Sequence, residues 1–120
     1  MSAILVVDDD PFIRYLVATM LRRANYEVDT ATNGRDAIQK AKWMQYDVIV
    51  LDPMMPFITG VEVLARLAVR ALKPRFVVIM SAEPHDAMAR AGGVNVFARL
   101  HKPSAINEIV ATVGACIAAA

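Results

Sequence analysis

Five short apolar runs, rich in β-branched residues, punctuate the chain at residues 4–7, 26–30, 48–51, 76–80 and 96–100, and each reads as a strand. Between them apolar positions recur at helical spacing. Asp10 followed by Pro11 is an N-cap with proline at the first helical position, and Ile13, Val17, Met20, Leu21 and Ala24 then share one face. Asn33 caps a second helix whose inner stripe is Ala37, Ile38, Ala41 and Met44, while Val61, Leu64, Leu67, Ala68 and Ala71 mark a third. A short fourth helix is predicted from Pro84 to about residue 91, ended by Gly92-Gly93. A fifth starts at Ser104 and turns Ile106, Ile109, Val110, Val113 and Ile117 inward. This alternation predicts an α/β chain of right-handed βαβ crossovers, with a parallel sheet covered on both faces. Strands buried on both faces should be almost wholly apolar, and the first, third and fourth runs are.

Length and composition bound the picture without changing it. At 120 residues and 13.1 kDa, with 57% hydrophobic and 21% charged residues, the chain suits one core and one domain over residues 1–120. Apart from three closing alanines there is no repeat, linker or low-complexity stretch. Thirteen basic against 12 acidic residues leave a formal charge of +1, which gives no field for direct nucleic-acid binding by this domain. No apolar run approaches membrane-spanning length and the first residues carry no basic region or cleavage signal, so a cytoplasmic location is expected, with no membrane partner. Cys116 is alone and falls at a core-facing helical position, which predicts an inert buried thiol.

Ligands of open α/β sheets bind at the carboxyl ends of the strands, where strand order reverses. Here those ends carry Asp8-Asp9-Asp10, Asp52, Ser81 and His101-Lys102-Pro103. Clustered carboxylates raise one another's pKa unless a cation neutralises them. Mg²⁺ is the natural one, because it takes oxygen ligands, keeps several waters, and is commonly held by one or two carboxylates plus phosphate oxygens; Mn²⁺ is an alternative ion. The same cation screens an incoming phosphoryl group, with Lys102 and the Ser81 hydroxyl placed to hold its oxygens. Asp52 is then the nucleophile, and Asp10 is better read as the helix cap.

The blocks Ile4-Leu5-Val6-Val7-Asp8-Asp9-Asp10-Pro11, Val48 to Pro56 with Gly60, Ile79-Met80-Ser81-Ala82 and Lys102-Pro103 resemble the receiver domain of two-component response regulators over essentially the whole chain. That resemblance implies a single-domain, doubly wound (βα)5 fold, flavodoxin-like, with five parallel strands in the order 2-1-3-4-5. It implies Mg²⁺ held by the side chains of Asp9 and Asp52 and the Met54 carbonyl, with Asp8 acting through metal-bound water. It further implies phosphoryl transfer onto Asp52 from a histidine kinase or histidine phosphotransfer protein, contacts from Ser81 and Lys102, and a cis Lys102-Pro103 bond. Output would pass to a downstream protein effector through the face of the fourth helix, fifth strand and fifth helix, with a homodimer as a further expected assembly. The only catalysis implied is the domain's own phosphorylation and dephosphorylation.

The sequence departs from that pattern in places. Pro53 follows the acceptor and removes a backbone donor there. Thr59 stands where the family often has aspartate. Arg99 stands where the family usually has the switch aromatic, with Phe97 two residues earlier and, by strand alternation, on the same face. These departures favour, as the alternative reading, a pseudo-receiver that binds proteins without phosphorylation. A haloacid-dehalogenase-type phosphatase is disfavoured by Phe12 two residues after Asp10 and by the missing role for Asp52. An FMN-binding flavodoxin is disfavoured by the acidic loop after the first strand. Met55 and the side chain of Met54 read as loop packing, Trp43 and Tyr46 as partly exposed packing residues, and His85 and His101 as non-catalytic.

Overall fold

The computed structural model describes residues 2–56, 58–69, 74–82, 96–103 and 106–119. Strands β1 (Ala3–Val7), β2 (Glu27–Ala31), β3 (Val48–Leu51), β4 (Phe76–Ser81) and β5 (Val96–His101) form one parallel sheet in the order β2-β1-β3-β4-β5. Each lies where the apolar runs predict it. The described helices are α1 (Pro11–Arg23), α2 (Gly34–Trp43), α3 (Gly60–Val69) and α4 (Ile109–Ala118), the last preceded by a 3₁₀ turn over Ile106–Glu108. α4 corresponds to the fifth predicted helix. The fourth, expected from Pro84, lies outside the described residues, as do Ala71, His85 and Ser104.

Alternation along the central strands sorts the core into two layers. Leu5, Val7, Ile49, Leu51, Val77 and Ile79 face one side, where Ala37, Ile38 and Ala41 of α2 and Val63, Leu64 and Leu67 of α3 cover them. Ile4, Val6, Val48, Val50, Val78 and Met80 face the other, against Val17, Ala18 and Leu21 of α1 and Ile109, Val113 and Cys116 of α4. Each fully buried aliphatic side chain contributes about 1.5–3 kcal/mol relative to exposure, which is why both faces must be covered. Tyr46, expected to be partly exposed, is instead buried in the first layer, and its hydroxyl donates a 2.6 Å hydrogen bond to Asp29 Oδ2. Asp29, on the neighbouring strand β2, gives the buried hydroxyl an acceptor that periodicity could not reveal. Trp43 is 88% exposed.

Two local devices shape the ends of the elements. Asp10 is the N-cap of α1, its carboxylate accepting from the backbone N–H groups of Phe12 and Ile13. Gly34 opens α2 against α3 and the loop before it: a Cβ there would stand 2.6 Å from Val63 Cγ2 and 3.1 Å from Ile58. Only glycine permits that approach.

β5 carries an irregularity that corrects the simple alternation. Val77 pairs with Val96 but Val78 pairs with Ala98, so Phe97 is an extra residue and the strand's parity changes across it. Phe97 packs edge-on against Phe76, with centroids 5.7 Å apart, towards the α1–α4 layer, whereas Arg99 pairs with Ile79 of the opposite layer. Phe97 and Arg99 therefore do not share a face.

Candidate functional site

The register of the sheet assembles the acidic site. Val7 pairs with Leu51, so the residues that follow each, Asp8 and Asp52, leave the sheet side by side, and the Asp52 N–H donates to the Val7 carbonyl at 3.0 Å. Ser81 pairs with His101, and the Lys102 N–H donates to the Ser81 carbonyl at 2.8 Å. Four strand ends thus deliver Asp8, Asp52, Ser81 and Lys102 to one edge, next to the point where chain order reverses about β1. The peptide bond between Lys102 and Pro103 is cis.

Asp8, Asp52 and Ser81 are the buried polar residues among those described, at 3%, 7% and 8% exposure. The Lys102 ammonium bridges the two acids, 2.6 Å from Asp8 Oδ2 and 3.1 Å from Asp52 Oδ2. Each remaining carboxylate oxygen meets a backbone donor at 2.9 Å: the Asp10 N–H for Asp8 Oδ1, and the Met54 N–H for Asp52 Oδ1. Because Pro53 has no N–H, the first donor the loop offers Asp52 is that of Met54. The Met54 side chain points to solvent and Met55 is buried, as loop packing predicts for the latter.

Burial dominates the electrostatics of Asp52. It raises the carboxyl's pKa, the Asp8 charge adds to the rise, and the Met54 N–H and the Lys102 ammonium only partly oppose it. Burial pulls Lys102 downward, but the Asp8 hydrogen bond and the charges of Asp52 and Asp8 outweigh that and leave its pKa raised. Lys102 is therefore a fixed positive charge. Burial disfavours the charged form of Asp52, which is the condition a divalent cation would relieve.

The donor set suits such a cation. Asp8, Asp9 and Asp52 each offer one carboxylate oxygen, all within 4.8 Å of one another, two from buried residues and one from the exposed Asp9. The three are hard oxygen donors, fitting Mg²⁺ or Mn²⁺ rather than zinc. Lys102 already touches two of these carboxylates, so a cation bound there would share them with the ammonium.

One participant escaped sequence reading. Arg14 of α1 donates from Nη1 to the Asp8 carbonyl at 2.8 Å, tying the helix to the acidic loop. Its spacing from Asp8 matches no capping pattern and gives no signal of this contact. Phe97 and Arg99 are exposed and belong to β5 proper, while Lys102 follows the strand's end. His101 is exposed. Cys116 is wholly buried, and burial pushes its thiol up to about 11, which keeps it inert.

The chain as a whole has counterparts in known proteins. The family model of the response regulator receiver domain matches residues 4–114. The chain is 40% identical over 86 residues to the transcriptional regulatory protein ResD of Bacillus subtilis, covering 72% of this chain and 35% of that protein. It is 30% identical over 118 residues to the response regulator ArlR of Staphylococcus aureus, covering 98% of this chain and 53% of that one. The chain thus spans about half or less of the length of these curated relatives. Among solved structures, the chemotaxis protein CheY4 of Vibrio cholerae superposes with a TM-score of 0.84 at 31% identity, covering 97% of this chain and 98% of that one. The response regulator TrrA of Thermotoga maritima, in complex with Mg(2+)-BeF, gives 0.81 at 32% identity, covering 97% and 99%. A doubly wound five-stranded sheet, an acidic edge bridged by a lysine, and a family match over nearly the whole length agree, and the chain belongs to the receiver domains of two-component response regulators.

Proposed function

We propose that the domain accepts a phosphoryl group on Asp52 from a histidine kinase or histidine phosphotransfer protein and signals its state to a downstream protein effector. The observation that carries this reading is the Lys102 ammonium seated between the buried carboxylates of Asp8 and Asp52. A purely structural pair would need one acid. The second makes a site whose charge balance improves when a cation and an anionic group enter together.

An Asp52 carboxylate oxygen attacks phosphorus of the partner's phosphohistidine. The new O–P bond forms as the P–N bond breaks, and the imidazole leaves with the electron pair. Lys102 then moves its charge onto a phosphoryl oxygen, and the Ser81 hydroxyl donates to another. Asp8, Asp9 and Asp52, with the Met54 carbonyl, are the residues to hold Mg²⁺ or Mn²⁺, which when bound supplies positive charge against the phosphoryl oxygens. Water attack at phosphorus breaks the P–O bond to Asp52, releasing inorganic phosphate and returning the carboxylate, so the chemistry is confined to the domain's own phosphorylation and dephosphorylation. A pseudo-receiver would have no use for this acid set.

Arg99 replaces the switch aromatic with a charge that prefers water or a carboxylate. Its exposed position on β5 supports a surface role, gripping an acidic effector in both phosphorylation states, and Phe97, on the other face, is not its substitute. A cytoplasmic location fits this partner chemistry; none of the described helices is long and apolar enough to cross a membrane. A homodimer is a further part of the proposal.

Incubation with a small phosphodonor and Mg²⁺, followed by intact-mass measurement, tests the central claim. One phosphoryl group should add to the wild type and none to Asp52→Asn or to wild type in EDTA. Comparable phosphorylation of Asp52→Asn would move the acceptor elsewhere.

A further inference from the structure

The α2–α3 face carries a groove separate from the acidic edge. Arg35, Gln39 and Lys42 stand at i, i+4 and i+7 of α2, so one helical stripe presents them together. With Arg66 of α3 they surround a hollow of about 270 Å³ floored by Ile38 and Ile58. A second hollow of about 310 Å³ shares Arg35 and Ile58 and extends to Gly34 and Pro56. Together they form a cleft with an apolar floor and a cationic rim. Arg35 and Lys42 make no ion pair with described residues, and Arg66 lies 4.0 Å from Glu62 with both side chains more than half exposed, a weak, salt-screened pairing. For a chain of net charge +1, this is a local concentration of positive charge that the described acids offset only weakly.

We infer that this groove docks an acidic peptide segment of a protein partner, with carboxylates against Arg35, Lys42 and Arg66 and an apolar side chain in the hollow beside Pro56 and Ile58. Charge complementarity selects the sign of the occupant, and the apolar floor selects its mixed character. Three cations neutralise too few phosphates to hold nucleic acid at physiological salt. The described lining residues offer no buried polar side chain to orient a small molecule, which argues against a metabolite site.

The test is a titration of the ¹⁵N-labelled chain with a synthetic peptide alternating glutamate and leucine. Length-matched lysine–leucine and glutamate–serine peptides and a short DNA duplex serve as comparisons. Amide shifts from the glutamate–leucine peptide should cluster on α2, α3 and the loop between Pro53 and Gly60. Affinity should fall with added salt and drop at least tenfold in Arg35→Glu/Lys42→Glu, whose two sites are exposed. The neutral pair Arg35→Gln/Lys42→Gln, a milder change, should lose affinity in the same direction. The glutamate–serine peptide, lacking the apolar anchor, should bind more weakly. Shifts that map elsewhere, unchanged affinity in the substituted chains, or equal binding of the lysine–leucine peptide or the duplex would overturn the inference.

Discussion

Replacing Lys102 by alanine removes the one cation among the described residues that touches both buried acids, and its consequence can be worked from the geometry. Asp8 and Asp52 are each less than a tenth exposed, and their ligand oxygens lie within 4.8 Å. Two such charges repel by about 3–4 kcal/mol at an effective dielectric of about 20. Removing one partner of a buried pair typically costs about 3–5 kcal/mol. In EDTA at pH 7, Lys102→Ala should therefore unfold with a free energy about 3 kcal/mol below wild type in urea melts. The sign of its pH dependence follows from Asp52. Its folded pKa is already raised above the ordinary 3.8, chiefly by burial, and loss of Lys102 removes two of the influences that lower it. A raised folded pKa means stability that is full below the unfolded value and lost as pH rises through the folded one. The variant's deficit should accordingly be small near pH 4 and grow as pH rises towards neutrality. Mg²⁺ should restore more stability to the variant than it adds to wild type, because the vacated oxygens bind it without competition from the ammonium. A Lys102→Ala protein as stable as wild type at pH 7 in EDTA, or a deficit indifferent to pH, would refute this account of the site.

The two described glycines of α2 and α4 should respond oppositely to alanine. Gly34→Ala meets Val63 at 2.6 Å and should destabilise by about 1–2 kcal/mol, whereas Gly114→Ala meets only the Tyr26 hydroxyl at 3.6 Å and should stabilise by about 0.5–1 kcal/mol; denaturant melts giving equal signs would contradict the packing of α2 on α3. Burial raises the Cys116 thiol from 9.0 to about 11, so part of the wild-type stability should disappear as pH rises between those values, and Cys116→Ala should lack that part of the slope. Asp9→Ala should weaken Mg²⁺ binding in a fluorescence or calorimetric titration well beyond Asp10→Ala, since Asp10 is spent on capping α1; equal losses would misplace the acidic ligands.

Period and punctuation in the sequence determined the strands, the described helices and the strand-end positions of Asp8, Asp52, Ser81 and Lys102, because a parallel sheet buried on both faces leaves so plain a mark. Chain order along the sequence also set the acids at one edge, since every parallel strand ends there. What it could not give was contact across the sheet. That Lys102 lies on both Asp8 and Asp52 depends on the register of β1, β3, β4 and β5. The bridge from Arg14 to the Asp8 carbonyl depends on how α1 lies against β1. The burial of Tyr46 has the same cause, because its hydroxyl needs the Asp29 acceptor that β2 contributes. The parity change at Phe97 is likewise invisible to period-2 reading, which assumes an unbroken ladder. Local sequence encodes which way residues face along an element whose ladder is unbroken. Only the packed sheet decides which charges meet, because those distances are set by neighbours remote in the chain.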